Sequence, residues 1–398
     1  MNTSTLEIRP VIDSTRYRVL GGISSAHFLN DMLQSLMLAL YPLLKGSYQL
    51  SFTQIGLLTL TYQVTASLLQ PMVGIFTDRH PQKHALVVGM GFSLCGLLML
   101  SQAHTFALLL VAAALTGTGS AIFHPESSRV ARLASGGKHG LAQSLFQVGG
   151  NAGSACGPLL AALIVIPLGQ GSLVWFAPVA LFAMVVLWQI GYWKAHQQRK
   201  NVGQPPSMVP PLSKARTVYA MAVLVALVFT KYIYTSSFHS YYTFYLIERF
   251  SLGAQAAQLL LFVFLSGVAL GTILGGPVGD RIGRKRVIWF SILGAAPFSL
   301  ALPYVGLTGT VVLSFVIGVV ISSAFSAILV LAQELLPGRI GMVSGLFFGL
   351  AFGVAGVGAA LIGSLADQYG IEAVYRITAL LPLGGIIAIF LPEMKKAD

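Results

Sequence analysis

Apolar residues run along this chain in long blocks, separated by short polar or glycine- and proline-containing breaks. A helix that crosses the hydrocarbon core of a bilayer needs about 20 mostly apolar residues. Reading from break to break places such blocks at 18–44, 53–77, 84–102, 105–127, 140–166, 172–193, 217–247, 255–279, 287–304, 310–335, 340–366 and 373–392. The pattern predicts an all-α membrane protein with twelve transmembrane helices. The breaks are of two kinds, and they alternate. Some are short and uncharged, such as Ile166-Pro167-Leu168-Gly169-Gln170-Gly171; others are basic, such as Asp280-Arg281-Ile282-Gly283-Arg284-Lys285-Arg286.

Composition supports this pattern. Only 9% of the 398 residues are charged and 55% are hydrophobic, whereas soluble domains carry roughly 25% charged residues. The 43 glycines suit close packing of membrane helices. The net charge of +12 could suggest nucleic acid, but its placement does not. Of the 24 lysines and arginines, all but Lys45, Lys231, Arg249 and Arg376 fall in the N-terminal segment, the C-terminal segment or alternate breaks. Cytoplasmic loops carry this excess, so both termini are expected in the cytoplasm, with no nucleic-acid partner. The basic loops could also meet anionic lipid headgroups. The N-terminal stretch does not read as a cleavable signal peptide. Cys95 and Cys156 sit inside apolar runs and read as packing residues.

The chain repeats itself. Gly74-Ile75-Phe76-Thr77-Asp78-Arg79 after the second block recurs as Gly276-Pro277-Val278-Gly279-Asp280-Arg281 after the eighth. Gly137-Lys138-His139-Gly140 recurs as Gly338-Arg339-Ile340-Gly341, and the two offsets agree within one residue. The longest polar stretch, 194–216, holds Pro205, Pro206, Pro210 and Pro211 and reads as a linker. The expected domains are therefore a six-helix bundle at 1–193, a cytoplasmic linker at 194–216 and a second, pseudo-symmetric bundle at 217–398. Duplicated halves are a transporter signature, with substrate held between them near the midplane.

The residues at 276–285, Gly-x-x-x-Asp-Arg-x-Gly-Arg-Lys, resemble the loop motif of the major facilitator superfamily. The copy at 74–83 keeps Gly74, Asp78, Arg79 and Lys83 but has Pro81 where glycine is usual. The run from Gly149 through Gly153 and Gly157 to Pro158 is similar to the motif of the drug/proton antiporter branch. The stretches 124–132, 240–246 and 332–339 resemble a narrower group of bacterial drug exporters in that branch. The resemblance implies the major facilitator fold and alternating access. It implies a conformational latch at Gly74, Asp78, Arg79, Gly276, Asp280, Arg281, Gly283 and Arg284. It also implies that helices one, four, seven and ten line the cavity while three, six, nine and twelve face lipid. The branch usually carries an arginine in helix four where this chain has Ala113, so any proton coupling must use other residues.

Charge inside a bilayer is costly and points to function. The expected cavity helices carry Asp31, Glu126, Lys231 and Glu334. His27, Asn30, Asp31 and Gln34 share one helical face. Tyr234, Phe238, Tyr242 and Tyr245 continue the face of Lys231. The expected proton-coupling residues are Asp31, Glu126 and His124. The expected substrate-binding residues are Lys231, His27, Asn30, Gln34, Gln147, Asn151, Tyr234, Tyr242, Gln333 and Glu334. Other readings stay open: a fixed Asp31–Lys231 ion pair, pairing of Glu126 or Glu334 with Arg129 or Arg339, and a backbone broken beside Pro125 and Pro337. Gln147 is favoured for the cavity, Ser154 for interhelical packing and Tyr245 for the membrane interface.

No metal or nucleotide motif is present, and His124 and Glu126 alone are weak metal ligands. Neither metal nor cofactor is expected, and a membrane enzyme or a receptor is disfavoured. The function expected is secondary transport: proton-coupled efflux of a small drug-like or anionic compound, driven by the proton gradient across a bacterial inner membrane. Proton-coupled import or uniport of an organic anion is the alternative. The expected partners are a small-molecule substrate, protons and the lipid bilayer, and the chain is expected to be a monomer.

Overall fold

A computed structural model describes residues 15–80, 82–200, 212–337 and 339–392. Within these residues the chain is helical, joined by turns. In lipid this is the solution expected of a chain whose backbone groups must satisfy one another.

The helices are α1 (Tyr17–Ala39), α2 (Tyr41–Tyr48), α3 (Phe52–Arg79), α4 (Ala85–Gln102), α5 (Phe106–Leu133), α6 (His139–Leu160), α7 (Ile166–Leu168), α8 (Ala177–Lys200), α9 (Lys214–Phe250), α10 (Ala254–Ile282), α11 (Arg284–Leu293), α12 (Ala296–Ala301), α13 (Leu307–Ser322), α14 (Ala324–Leu335), α15 (Ile340–Tyr369) and α16 (Ile371–Thr378). Among the described residues, ten helical stretches are long and apolar enough to cross a membrane. α1 and α3 are long enough but fall outside that set. Their polar residues are the reason, and several of them line the central cavity described below.

Several expected blocks are broken. The first bends at Leu40 between α1 and α2, and the tenth at Ser323 between α13 and α14. α6 passes through a π-helical turn at Ala161–Val165, just after Pro158. Pro125, by contrast, leaves α5 continuous from Phe106 to Leu133, so the backbone beside Glu126 is not broken. α8 runs on to Lys200 and α9 starts at Lys214. Residues expected at both edges of the linker are therefore helical, and residues 201–211 lie outside the description.

Two long contacts join the N-terminal helices to the C-terminal ones: α3 lies along α15, and α6 lies along α10. Apolar side chains gain nothing by leaving lipid for one another, so such contacts depend on close backbone approach. Glycines permit it along α15. A Cβ on Gly345 would come within 2.8 Å of the Gln70 carbonyl oxygen, and one on Gly349 within 2.7 Å of that of Ser67. At the basic end of the molecule, a Cβ on Gly74 would lie 2.7 Å from the Gly341 oxygen. There too Arg132 donates to Gln333 Oε1 (3.1 Å), and Ser128 and Ser344 share a hydrogen bond of 3.3 Å. At the opposite end, Asp367 of α15 accepts from Phe52 N (3.1 Å), Thr53 N (2.9 Å) and Thr53 Oγ1 (2.6 Å), at the positive N-terminus of α3. Gln258 Nε2 donates to the Ala39 carbonyl at 2.7 Å. The two groups of helices therefore touch at both ends.

Glu126 sits in a buried ion cluster. Arg129 Nη1 donates to Glu126 Oε1 at 2.6 Å, and Lys194 of α8 donates to Oε2. Arg129 also donates to the carbonyls of Thr77 (3.0 Å) and Gly74 (3.3 Å), and Lys194 to that of Gln82 (3.1 Å). Glu126 is wholly buried, and Lys194, expected at the start of a linker, is only 1% exposed. The cluster joins α5 to α8 and to the end of α3.

Two outcomes are expected in thermal unfolding of the detergent-purified protein. Gly349→Ala forces α3 and α15 apart and lowers stability by about 1–3 kcal/mol, while Gly171→Ala, with no neighbour near its added methyl, leaves it unchanged. Glu126→Gln strands two buried cations and costs about 3–5 kcal/mol; an unchanged melting temperature would refute the structural role.

Candidate functional site

A cavity of about 130 Å3 lies between the two groups of helices. α1 contributes Asp31, Gln34 and Ser35, and α3 contributes Thr59, Tyr62 and Gln63. α6 adds Ser154 and Pro158, α9 adds Tyr232, Thr235, Ser236, His239 and Ser240, α10 adds Leu261 and Leu265, and α15 adds Phe352 and Ala355. The expectation that the fourth and tenth helices line the cavity is not met. α5, α13 and α14 contribute no lining residue among those described, whereas α3, α6, α10 and α15 do. The glycine contacts draw these helices together over the cavity.

Asp31 is set into the cavity wall, with its side chain 17% exposed. Behind it lie two histidines. His27 is one helical turn back on α1, so its Nε2 reaches Asp31 Oδ2 at 3.2 Å. His124 of α5 brings its Nε2 to 3.6 Å from Asp31 Oδ1 and to 3.3 Å from His27 Nε2. Asn30 Nδ2 donates to Asp31 Oδ1 at 3.0 Å, and Ser93 Oγ donates to Asn30 Oδ1 at 3.2 Å.

The far nitrogen of each ring decides the chemistry. His27 Nδ1 lies 2.8 Å from the Phe146 carbonyl oxygen, and His124 Nδ1 lies 3.0 Å from that of Ser120. A carbonyl can only accept, so each Nδ1 carries the hydrogen. A neutral ring then has only a lone pair at Nε2. Two such lone pairs and an ionised carboxylate would all point into one small space. Only something electron-poor can sit among them. Rings of Phe123 and Phe146 against His27, and of Phe348 and Phe352 against His124, enclose the group.

The glycine-rich run of α6 makes this arrangement possible. Added Cβ atoms on Gly149, Gly153 and Gly157 would collide with Ser24, Phe28 and Ser35 of α1, and one on Gly150 would strike His27 and Asp31. Pro158 ends the run at the cavity wall.

The other sequence-predicted residues divide into three sets. Gln34 is in the cavity, where Tyr62 donates to its Oε1 at 2.7 Å. Gln34 Nε2 and Gln63 Oε1 are buried there without hydrogen-bond partners.

A second set packs helices together. Asn151 donates to Thr272 of α10 at 2.6 Å and Tyr242 donates to Ser314 of α13 at 3.0 Å, while Tyr234 is buried edge-on against Phe238 of its own helix. Gln147 is buried but absent from the lining, and Ser154 is in it, the reverse of the expectation. Tyr245, expected at the membrane interface, is fully buried and stacks on Tyr375 with ring centres 4.1 Å apart. The cavity face of α9 is thus the one carrying Tyr232, Thr235 and His239, not the tyrosine stripe. An amphipathic stripe does not say which of two packed faces is hollow.

The third set lies at the basic end. Gln333 donates to Ser344 Oγ at 2.9 Å, and Glu334 pairs with Arg284 rather than with Arg339. Glu126 pairs with Arg129, one of the open readings, and with Lys194, which nothing in the sequence suggested. Of the latch residues, Gly74 packs on Gly341 and Gly283 adopts φ 93° before α11. The end of α3 at Arg79 is described, but the side chains of Asp78, Gly276, Asp280 and Arg281 lie outside the described residues.

Lys231 is 4% exposed. Its Nζ lies 5.4 Å from the ring centre of Tyr232 and 5.6 Å from that of Phe325. Among the described residues it forms no salt bridge, so it is not the fixed partner of Asp31. It sits one helical turn from Thr235, which lines the cavity.

Comparison with known proteins gives this geometry a context. The profile of the Major Facilitator Superfamily matches residues 23–356 and 228–398. The chain is 58% identical over 385 residues to the fosmidomycin resistance protein of Escherichia coli K12, covering 96% of this chain and 95% of that one. It is 42% identical over 387 residues to YfnC of Bacillus subtilis, an uncharacterized transporter of the same type, covering 96% and 95%. A crystal structure of the transporter FucP in the outward conformation superposes with a TM-score of 0.69 at 16% identity, covering 96% of this chain and all of that one. That last likeness shows the fold alone. Family profile, relatives and fold agree: the chain is a multi-pass membrane transporter and belongs to the Major Facilitator Superfamily.

Proposed function

We propose that the chain exports a small anionic or drug-like compound, fosmidomycin among them, in exchange for protons. In this reading twelve helices form two six-helix bundles in a bacterial inner membrane, with both termini in the cytoplasm. The monomer works by alternating access. The observation that carries the proposal is Asp31. It is a carboxylate in the cavity wall whose two nearest basic neighbours present lone pairs to it. A proton shared among these three groups is the charge that each turn of the cycle would carry. The 58% identity with a fosmidomycin resistance protein supports the substrate class.

Fosmidomycin is a phosphonate, and Lys231 supplies a buried cation with no carboxylate of its own among the described residues. Gln34 Nε2 and Gln63 Oε1 offer unpaired amide atoms to the cavity, whose wall at Thr235 is one helical turn from Lys231. Contacts at both ends of the molecule suit an occluded step of the cycle. The latch follows the same logic: α3 ends against the first turn of α15, where Gly74 meets Gly341. Loss of that contact would open the basic end.

Two outcomes are expected in proteoliposomes loaded with fosmidomycin, with the outside made acid. The wild-type chain moves the compound out faster as the pH difference grows, and Asp31→Asn loses this dependence while remaining folded. Flux indifferent to the gradient in the wild type would show a uniporter and sink the coupling. Lys231→Met weakens fosmidomycin binding by about tenfold, the scale of one lost charge-assisted hydrogen bond, without changing the proton dependence. Equal affinity in the two proteins would remove Lys231 from the substrate site.

A further inference from the structure

We propose that His27, Asp31 and His124 form a three-ligand binding site for a divalent transition-metal cation of the zinc class. The inference shares its side chains with the proposed coupling site but stands on their geometry, and it holds whether or not they carry protons during transport.

Three observations support it. The first is spacing. Zinc binds imidazole nitrogen and carboxylate oxygen at about 2.0–2.2 Å. A tetrahedron of such bonds sets neighbouring donors about 3.3 Å apart, by its geometry. Here the two imidazole Nε2 atoms are 3.3 Å apart, and each lies near one oxygen of the Asp31 carboxylate: His27 Nε2 at 3.2 Å from Oδ2 and His124 Nε2 at 3.6 Å from Oδ1. Among the described residues this is the group of His, Cys, Asp or Glu whose donor atoms all fall within 4.8 Å of one another.

The second is orientation. Metal-binding histidines usually give their other N–H to a carbonyl or carboxylate, which fixes the tautomer and aims the free nitrogen at the ion. Both histidines do this, through Phe146 and Ser120. Asp31 is held by Asn30, and Asn30 by Ser93. The aromatic rings of Phe123, Phe146, Phe348 and Phe352 shield the two imidazoles.

The third is access. Asp31 lines the cavity, so an ion can enter from it, and cavity water can complete the fourth position. Two imidazoles and one carboxylate select zinc, cobalt, nickel or copper over magnesium or calcium, which prefer oxygen donors. A bound ion would tie α1 to α5 and cover the carboxylate in the wall. It would therefore block the use of Asp31 by anything else.

Spacing in the sequence does not reveal this group. His27 and Asp31 have the i, i+4 interval of many helical pairs, and His124 arrives from another helix.

The test uses the full chain in lipid nanodiscs, stripped with a chelator and titrated with Co2+ and then Zn2+. One Co2+ per chain is expected, with the visible absorption of a four- or five-coordinate ion, and Zn2+ should displace it. His27→Gln and His124→Gln each should weaken binding by at least tenfold, since even outer-shell partners matter by 10–100-fold. The exposed His104, changed to Gln, should have no effect. The wild-type spectrum decides the matter even if a cluster variant fails to fold. A wild-type chain without that absorption, or one bound equally well by both folded variants, overturns the metal site. Proton-driven flux without cobalt binding would leave the coupling proposal intact and remove this one. Cobalt binding with gradient-independent flux would do the reverse.

Discussion

Close contact between helix backbones is what the rest of this structure depends on. Inside a bilayer, apolar side chains are as well solvated by lipid as by one another, so helices associate through contact and polar pairing. The glycines of α15 let it lie against α3, and those of α6 let it lie against α1. The first contact holds the N-terminal helices to the C-terminal ones around the cavity. The second presses α6 onto the turn of α1 that carries His27 and Asp31. Both the cavity and the ionisable group in its wall follow from where side chains are missing.

The few charges buried in the molecule are treated in two different ways. Glu126 is saturated: two cations neutralise it, and those cations satisfy backbone carbonyls at the end of α3 and beyond. The cluster fixes three helices at one end. Asp31 and Lys231 are not saturated in this way. Asp31 faces lone pairs, and Lys231 faces aromatic rings. Leaving such groups incompletely satisfied in low dielectric is costly, and that cost is consistent with a site that must take up and release its partners.

The sequence alone determined the class of this protein. Block length and the alternation of basic and uncharged breaks depend on the bilayer's thickness and on its dislike of charge, which act locally along the chain. They led to the helices, with breaks at Leu40 and Ser323 and the π turn after Pro158 as local departures. Asp31 and His124 stood out in the sequence for the same reason, since polar groups in an apolar block are costly. Only the tertiary structure decided how these groups are used. It brought His27 and His124 to Asp31, paired Glu126 with Lys194, left Lys231 away from Asp31 and turned the tyrosine stripe of α9 into core. Each of these depends on the rotation and separation of neighbouring helices, which is set by glycine contacts between segments far apart in sequence. A helical face can be read from one segment, but whether it meets a partner, a cavity or lipid belongs to the assembly.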